Sequence, residues 1–317
     1  MKPHALALVG PTTTGKTDLS LEVARRLRGE IISMDSRQVY RGMDIGTDKV
    51  TPEARQGIPH FGLDLVEADR RYSAGRFARD ARRWIREIRS RGHLPLLVGG
   101  TGFFLRAVLT PMFREPAMDE RRLERLRGRL AALGTEEMAR WVRALDPHRA
   151  ELAIQGGRHR LSRTLEIPLL TGRALSWWHR EGRAEAPGVP CMVVILELPR
   201  EELDRRIDAR VSRMVERGFV DEVRELLAAG YTAEDPGMTG TGYREVAAAL
   251  QGRLSMEEAL ERMRLQTRQY ARRQMTWFRN QSPPDAIRLD ATLPLEARVE
   301  SVVSAWVRAQ EGGSGGT

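Results

Sequence analysis

The chain has 317 residues, 41% of them apolar, with a formal net charge of +9 and a pI of about 10.4. This length and apolar content suffice for one large α/β domain plus a smaller inserted or appended one, and they exclude global disorder. No apolar run approaches the about 20 residues that a membrane-spanning helix needs, so we expect no membrane association. The excess of positive charge predicts a polyanionic partner.

The N-terminus and the cysteine content bear on location and metal chemistry. Residues 1–4 lead directly into a strand-like run at 5–9, without room for a signal peptide, so we expect a cytoplasmic protein. Cys191 is the only cysteine, which excludes a disulfide within the chain and argues against a thiolate zinc site. Its apolar neighbours at 192–195 predict that it is a small buried side chain.

Buried strands, glycine-rich turns and amphipathic helices follow one another through the first hundred residues. We predict strands at 5–9, 30–34 and 94–98 and helices at 16–28 and 73–91. In the second helix, Phe77, Trp84 and Ile88 recur at helical spacing. This alternation predicts an α/β fold, a parallel sheet with helices on both faces.

The character of the sequence changes at about residue 116. We expect 116–186 to be an inserted all-helical basic subdomain without strands, since residues 120–183 contain 14 Arg against 8 Asp plus Glu. The core domain would then comprise 1–115 and 187–300, with a flexible tail at 311–317. After the insertion we predict a strand at 191–198, helical stretches at 200–229, 242–250 and 255–281, and a last strand at 286–289.

A glycine-rich loop lies between the first predicted strand and helix. It fits the G-x-x-x-x-G-K-[ST] phosphate-binding pattern and consists of Gly10, Pro11, Thr12, Thr13, Thr14, Gly15, Lys16 and Thr17. Its backbone N–H groups would converge on phosphate oxygens at a helix N-terminus. Lys16 adds a positive charge, and the Thr17 hydroxyl is placed to bind Mg²⁺. The pattern predicts a P-loop NTPase-like fold and a di- or triphosphate ligand, without specifying what carries the phosphates.

Five further sequence blocks follow the loop. They are 35–47 (DSRQVYRGMDIGT), 96–102 (LLVGGTG), 159–163 (HRLSR), 242–245 (GYRE) and 272–278 (RRQMTWF). Together with the loop they resemble, in order and over nearly the whole chain, the tRNA dimethylallyltransferase (isopentenylpyrophosphate transferase) family. Eukaryotic relatives carry a C-terminal zinc finger that a single cysteine excludes, so the chain looks like the bacterial form. Small departures from the family pattern occur at Phe61, Thr13-Thr14 and Phe103-Phe104.

The resemblance implies a prenyl transfer to RNA. A dimethylallyl group would pass from dimethylallyl pyrophosphate to the exocyclic amine of adenine 37, 3′-adjacent to the anticodon, in tRNAs that read codons beginning with U. Pyrophosphate would be released, with Mg²⁺ required and no ATP consumed. The residues implied in catalysis are Thr12, Asp35, Thr101 and Arg210. Since the amine is a poor nucleophile, we expect Asp35 to accept its proton, with Mg²⁺ coordination as the alternative role.

A predicted helix carries arginines on one face. Arg206, Arg210, Arg213 and Arg217 recur at i, i+4, i+7 and i+11, beside an apolar stripe that starts at Leu203. By the resemblance, Arg210 holds the pyrophosphate beside Lys16. Arg213 and Arg217 are expected on a solvated face.

The resemblance also implies that tRNA contacts are spread over several blocks. They are Asp35, Ser36, Arg37, Gln38 and Thr101 at the flipped adenine, His159, Arg160, Leu161, Ser162 and Arg163 at the anticodon stem-loop backbone, and Gly242, Tyr243 and Arg244. The stripe of Tyr270, Gln274 and Trp277 is instead predicted to be core. We expect a monomer.

Two other interpretations of the loop and the charge remain open from the residues alone. One is a small-molecule kinase that binds ATP in the loop, and the other is an RNA-binding scaffold whose loop acts as a nucleotide switch. A relative that prenylates free AMP would share the loop chemistry but would not need a large basic insertion.

Overall fold

The computed structural model describes residues 2–113, 116, 118–181 and 184–311. The chain divides into two compact units. Met1–Thr110 with Gly188–Thr317 is called the core unit here, and Pro111–Pro187 the inserted unit. The insertion predicted at 116–186 falls within the inserted unit. Among the described helices, none combines the length and apolar character that crossing a membrane requires.

Parallel strand pairing organises the core unit. The strands of the described residues are β1 (Ala5–Val9), β2 (Gly29–Ser33), β3 (His60–Phe61), β4 (Leu94–Gly99), β5 (Met112–Phe113), β6 (Ala184–Ala186), β7 (Cys191–Glu197) and β8 (Ile287–Asp290). Six of them form one sheet in the order β3-β2-β4-β1-β7-β8, and every pair in it is parallel. At its centre, Leu8 of β1 lies opposite Val98 and Val194.

Helices cover both faces of this sheet. Side chains of β1 alternate between two cores: Leu6 and Leu8 point to one and Ala7 and Val9 to the other. The first core includes Leu19, Val23, Leu203 and Val299 from helices, and the second includes Phe77, Ile85, Ile88 and Leu105. A strand buried on both faces has no need of polar alternation, which explains the continuous apolar run at 5–9. The predicted fold class is therefore confirmed.

The helices are α1 (Lys16–Leu27), α2 (Ala74–Ser90), α3 (Gly102–Leu109), α4 (Glu120–Ala132), α5 (Thr135–Leu145), α6 (Ala150–Gln155), α7 (Gly157–Thr171), α8 (Leu175–Glu181), α9 (Arg200–Glu216), α10 (Phe219–Ala228), α11 (Tyr243–Leu250), α12 (Met256–Gln281) and α13 (Leu295–Glu311). The stretch predicted at 200–229 is two helices, since Gly218 takes a φ of +94° between them. Helix α13 was not predicted, and it contains Glu311, which was assigned to the tail. The rest of the predicted tail, 312–317, lies outside the described residues.

Cys191 differs in burial from the prediction. It begins β7 at the edge of the second core and is partly rather than fully buried. Removal from water raises the pKa of its thiol to about 12. A thiol with so high a pKa stays protonated at neutral pH and is therefore a poor nucleophile.

The inserted unit has its own small core of Met138, Val142, Leu161 and Leu165. The prediction that it is free of strands is wrong, because β5 and β6 form an antiparallel pair near its two ends. Glu166 is buried on α7. Burial acts to raise its pKa, but hydrogen bonds from Arg127 and Arg163 outweigh this effect and hold the pKa below its usual value.

Candidate active site

The phosphate-binding loop forms the turn between β1 and α1. Gly10 has a φ of +150°, and a Cβ there would lie 2.6 Å from the carbonyl oxygen of Leu196 on β7. Gly15 has a φ of +75°, a left-handed conformation that glycine adopts without steric cost. The Thr14 hydroxyl donates to the Pro11 carbonyl at 2.9 Å. The approach of β7 therefore explains the need for Gly10, and the left-handed backbone explains the need for Gly15.

Lys16 lies against the inside of this loop. Its Nζ donates to the Pro11 carbonyl and to the Thr14 hydroxyl. Burial, with a smaller contribution from the charge of Arg210, lowers the pKa of Lys16 to about 7, although Asp35 opposes the shift. A bound anion would act in the opposite direction, because negative charge stabilises the ammonium form. We therefore expect the charge of Lys16 to depend on whether an anion is bound in the loop.

The carboxyl ends of β2 and β4 bring two predicted site residues together. A Cβ on Gly99 would lie 2.1 Å from the Met34 carbonyl oxygen, so glycine permits this close approach. Thr101 accepts a hydrogen bond at its hydroxyl from the Ser36 N–H at 3.0 Å. Asp35 accepts one at Oδ1 from the Arg37 N–H at 2.7 Å. Proteins with open parallel α/β sheets bind their ligands at the carboxyl ends of the strands, where these residues lie.

Gln274 of α12 joins the loop to the end of β4. Its Oε1 accepts from the Thr12 N–H at 3.1 Å, and its Nε2 donates to the Gly100 carbonyl at 2.9 Å. One turn earlier, Tyr270 faces the same space. Burial, and next the negative charge of Asp35, raise the pKa of Tyr270 to about 12. Through Gln274 and Tyr270, α12 therefore contacts both the phosphate loop and the strand ends that carry Asp35 and Thr101.

This arrangement corrects the prediction that the α12 stripe is core. Tyr270 and Gln274 line the cavity that contains the phosphate loop. Trp277 packs instead against the first residue of α3, where a Cβ on Gly102 would lie 2.3 Å from the indole. Helical spacing identified the buried face correctly but did not distinguish a core from a cavity wall, since both exclude most solvent.

Four arginines at helical spacing, three on α9 and one at its C-terminal cap, line the same cavity. They are Arg206, Arg210, Arg213 and Arg217, called the arginine row below. Arg210 donates to the Thr12 hydroxyl and lies 3.6 Å from the Asp48 carboxylate, which Arg217 also approaches, at 3.1 Å. Arg213 and Arg217 are solvent-exposed, as predicted, yet they face the cavity. The buried stripe beneath the row, including Leu203 and Ile207, confirms the predicted orientation of the helix.

A buried carboxylate that was not predicted holds the loop before Thr47. Glu222 of α10 accepts from three consecutive N–H groups, those of Asp44 (2.8 Å), Ile45 (2.6 Å) and Gly46 (3.0 Å). It also accepts from the Tyr243 hydroxyl at 2.6 Å. Burial, and then the charge of Glu222, raise the pKa of Tyr243 well above its usual value. The available signal was an acidic residue on the apolar face of a helix, which predicts a specific partner.

This loop in turn orients Gln38. Gln38 accepts from the Ser33 hydroxyl at 2.7 Å and donates to the Thr47 carbonyl at 3.2 Å. Arg37 is held by the Pro236 carbonyl at 2.8 Å and the Thr239 hydroxyl at 3.0 Å. Both side chains line the cavity. Polar partners therefore fix both side chains before any ligand binds.

A sequence model of the IPP transferase family matches residues 38–281. The chain belongs to this family. It is 46% identical over 275 residues to a protein of Thermomicrobium roseum named tRNA dimethylallyltransferase, covering 86% of this chain and 83% of that one. It is 40% identical over 306 residues to a protein of the same name from Halorhodospira halophila, covering 96% and 98%.

Solved structures of family members share the fold. The full-length tRNA isopentenylpyrophosphate transferase of Bacillus halodurans matches with a TM-score of 0.73 at 33% identity, over 98% of this chain and 97% of that one. A eukaryotic dimethylallyltransferase described as acting on tRNA matches with a TM-score of 0.79 at 28% identity, over 97% and 78%. The resemblance inferred from six sequence blocks is thereby confirmed.

In this IPP transferase family member, Tyr243 was predicted to contact tRNA, but its side chain is buried. It is 1% exposed and packs edge-on against Phe219, with its hydroxyl on Glu222. Gly242, also predicted to contact tRNA, is buried with a φ of +93° at the start of α11. Arg244 is exposed, and its Nε donates to the Ala233 carbonyl at 3.0 Å. Of these three residues, Arg244 is the one that is exposed, and its contact with tRNA stays a prediction.

The block 159–163 lies on α7 of the inserted unit. Leu161, predicted to contact tRNA, is 2% exposed in the core of that unit, so its side chain packs within the unit and does not face solvent. His159 is exposed, Ser162 is half-buried and Arg160 donates to the Leu152 carbonyl at 3.2 Å. Arg163 is paired with Glu166, which commits its charge within the unit.

Proposed function

We propose that the chain transfers a dimethylallyl group from dimethylallyl pyrophosphate to the exocyclic amine of adenine 37 in tRNAs that read codons beginning with U. One cavity of about 1380 Å³ in the core unit carries this proposal. The phosphate loop, the arginine row, Asp35 and Tyr270 all line it, so an anionic leaving group and a proton acceptor have places side by side. Relatives named tRNA dimethylallyltransferase support the choice of substrates.

On the donor side, the loop and the arginine row hold a leaving group. The carbon–oxygen bond to the pyrophosphate breaks as the carbon–nitrogen bond to adenine forms, so negative charge grows on the pyrophosphate. Lys16 and Arg210 are placed to stabilise that charge, together with the backbone N–H groups of the loop. Arg210 already donates to the Thr12 hydroxyl, which positions the guanidinium beside the loop. No phosphoryl group is transferred, so the reaction needs no ATP.

On the acceptor side, Asp35 takes the proton that the amine loses. Its Oδ1 is engaged by the Arg37 N–H, whereas among the described residues no hydrogen bond engages Oδ2. The free oxygen is therefore available as the base. Tyr270 lies close enough to Asp35 to feel its charge and shares a hydrogen bond with Thr101, so these two side chains would orient the adenine. Ser36, Arg37 and Gln38 follow Asp35 in the chain and would contact the flipped adenine and its neighbours.

Mg²⁺ would neutralise part of the pyrophosphate charge when bound. The residues fit a weakly held ion: the Thr17 hydroxyl and the Asp35 carboxylate line the same cavity as oxygen donors. Among the described residues no group of three His, Cys, Asp or Glu side chains is placed to hold a metal. Such an ion characteristically takes most of its ligands from water and phosphate.

The basic character of the chain supports a tRNA substrate. The backbone of the anticodon stem-loop would meet arginines such as Arg160, because phosphate contacts dominate nucleic-acid affinity. A cytoplasmic monomer is the form that we propose.

Labelled dimethylallyl pyrophosphate with bulk tRNA, in the absence of ATP, tests the function. We expect label in RNA, one pyrophosphate released per prenyl group, and no label with Lys16→Met. Synthetic anticodon stem-loops with adenine 37 replaced by guanine should not be labelled. ATP-dependent turnover without labelled RNA would indicate a kinase. Label in free AMP would indicate a prenyltransferase of mononucleotides, and tRNA binding without turnover would indicate a scaffold. Each of these three results would refute the proposal.

A further inference from the structure

An exposed aromatic side chain lies at the start of α3, just after the strand end that carries Thr101. Phe103, in the first turn of α3, is 59% exposed, more than any other large hydrophobic side chain among the described residues. It comes two residues after Thr101. Its ring centroid lies 6.4 Å from that of Trp277, with 54° between the ring planes. Among the described residues, Trp277 is the one aromatic ring that contacts Phe103, and most of the Phe103 side chain is exposed.

The position of this pair is fixed by the same helix that contacts the phosphate loop. Gln274 of α12 is bound to the Gly100 carbonyl, and Trp277 lies three residues further along that helix. The missing Cβ of Gly102 lets the indole pack on the start of α3. The Phe103–Trp277 pair is thus held at a defined place next to the end of β4, not on a loop of variable position.

Folding does not require Phe103 to be aromatic. The next residue, Phe104, is 3% exposed and stacks on Phe77 at 4.3 Å, so it anchors α3 in the second core. Arg273, which lines the cavity and lies 6.0 Å from the Tyr270 ring, adds an exposed positive charge on the neighbouring turn of α12. Exposed aromatic faces, together with positive charge along the binding groove, are what proteins use to bind unpaired nucleotides.

We infer that Phe103, supported by Trp277, stacks on a base of the tRNA loop next to the adenine that is modified. The inference rests on the proposed function for the identity of the RNA. Extruding one adenine removes a stacking partner from its neighbours, and a flat side chain beside the acceptor site replaces it. The contact is uncharged and sequence-tolerant, in contrast to the arginine contacts with phosphates.

The test compares Phe103→Ala, Phe103→Leu and Phe103→Tyr with wild type. Loss of one stacked base should raise the Kd and the KM for tRNA by about 5- to 100-fold in the Ala and Leu variants, and Tyr should retain most of the affinity. The KM for dimethylallyl pyrophosphate, the single-turnover rate at saturating tRNA and the salt slope of binding should not change. Leu265→Ala, which removes a side chain of similar exposure from α12, is the matched control and should leave tRNA affinity unchanged.

A second measurement locates the stacked base. Stem-loops with 2-aminopurine on either side of the target adenine should lose fluorescence at one of these positions on binding wild type, but not on binding Phe103→Ala. Affinity within twofold of wild type for both the Ala and Leu variants, or equal quenching by wild type and Phe103→Ala, overturns the inference. The Kd for tRNA and the fluorescence change are both measured without turnover. They therefore test this inference even if prenyl transfer itself is not found.

Discussion

The ligand-dependent charge of Lys16 predicts that donor binding takes up a proton. With a pKa of about 7 in the free enzyme, Lys16 is about 10% protonated at pH 8 and about 90% protonated at pH 6. A pyrophosphate against Nζ favours the ammonium form and returns the pKa toward its ordinary value. Binding at pH 8 should therefore take up about 0.9 proton at this residue, and binding at pH 6 only about 0.1.

Isothermal titration calorimetry measures this uptake. The enthalpy of Mg²⁺-pyrophosphate binding is recorded in buffers that differ in ionisation enthalpy, and the slope gives the number of protons exchanged. Lys16→Met serves as the control, because subtracting its slope removes the protons exchanged by pyrophosphate itself. Arg210→Gln should reduce the uptake at pH 8, since loss of the neighbouring positive charge raises the pKa of Lys16 in the free enzyme. Equal slopes for wild type and Lys16→Met at pH 8 would refute the reasoning.

Three other predictions concern the chemistry, the scaffold and the RNA. Asp35→Asn should slow single-turnover prenyl transfer by about 10²- to 10⁴-fold with tRNA affinity retained, and partial rescue by high Mg²⁺ would assign the carboxylate to the metal instead. Glu222→Gln should lower the free energy of unfolding in urea by about 2–3 kcal/mol, because it leaves N–H groups of the loop unpaired. Tyr243→Phe removes only one of the four hydrogen bonds that Glu222 accepts and should cost about 1 kcal/mol. Equal losses in the two variants would contradict this account. Arg160→Ala should reduce the salt slope of tRNA binding in a filter assay by about one unit at most without changing donor binding, and an unchanged slope would place Arg160 on a merely solvated surface.

The sequence by itself determined the parts of the site whose geometry is local. The phosphate loop pattern needs only a strand, a tight turn and a helix, and the left-handed φ of Gly15 is a requirement of that unit. The close approach that requires Gly10, in contrast, comes from β7. Apolar periodicity likewise predicted α2, α9 and α12 and the buried face of each. Order and spacing of the sequence blocks were sufficient to indicate the family, which the comparisons confirmed.

Only the tertiary structure decided which polar groups meet. Gln274 lies 262 residues from Thr12 and 174 from Gly100, and Glu222 lies 176 residues from Gly46, so no local pattern relates them. Tyr243 and Leu161 were assigned to RNA from their blocks, yet both are buried in cores. Helical periodicity indicates which face of a helix is buried, but it does not distinguish a face in the core from one that lines a cavity. What faces a side chain across the fold depends on strand order and helix packing, which arise from the whole chain.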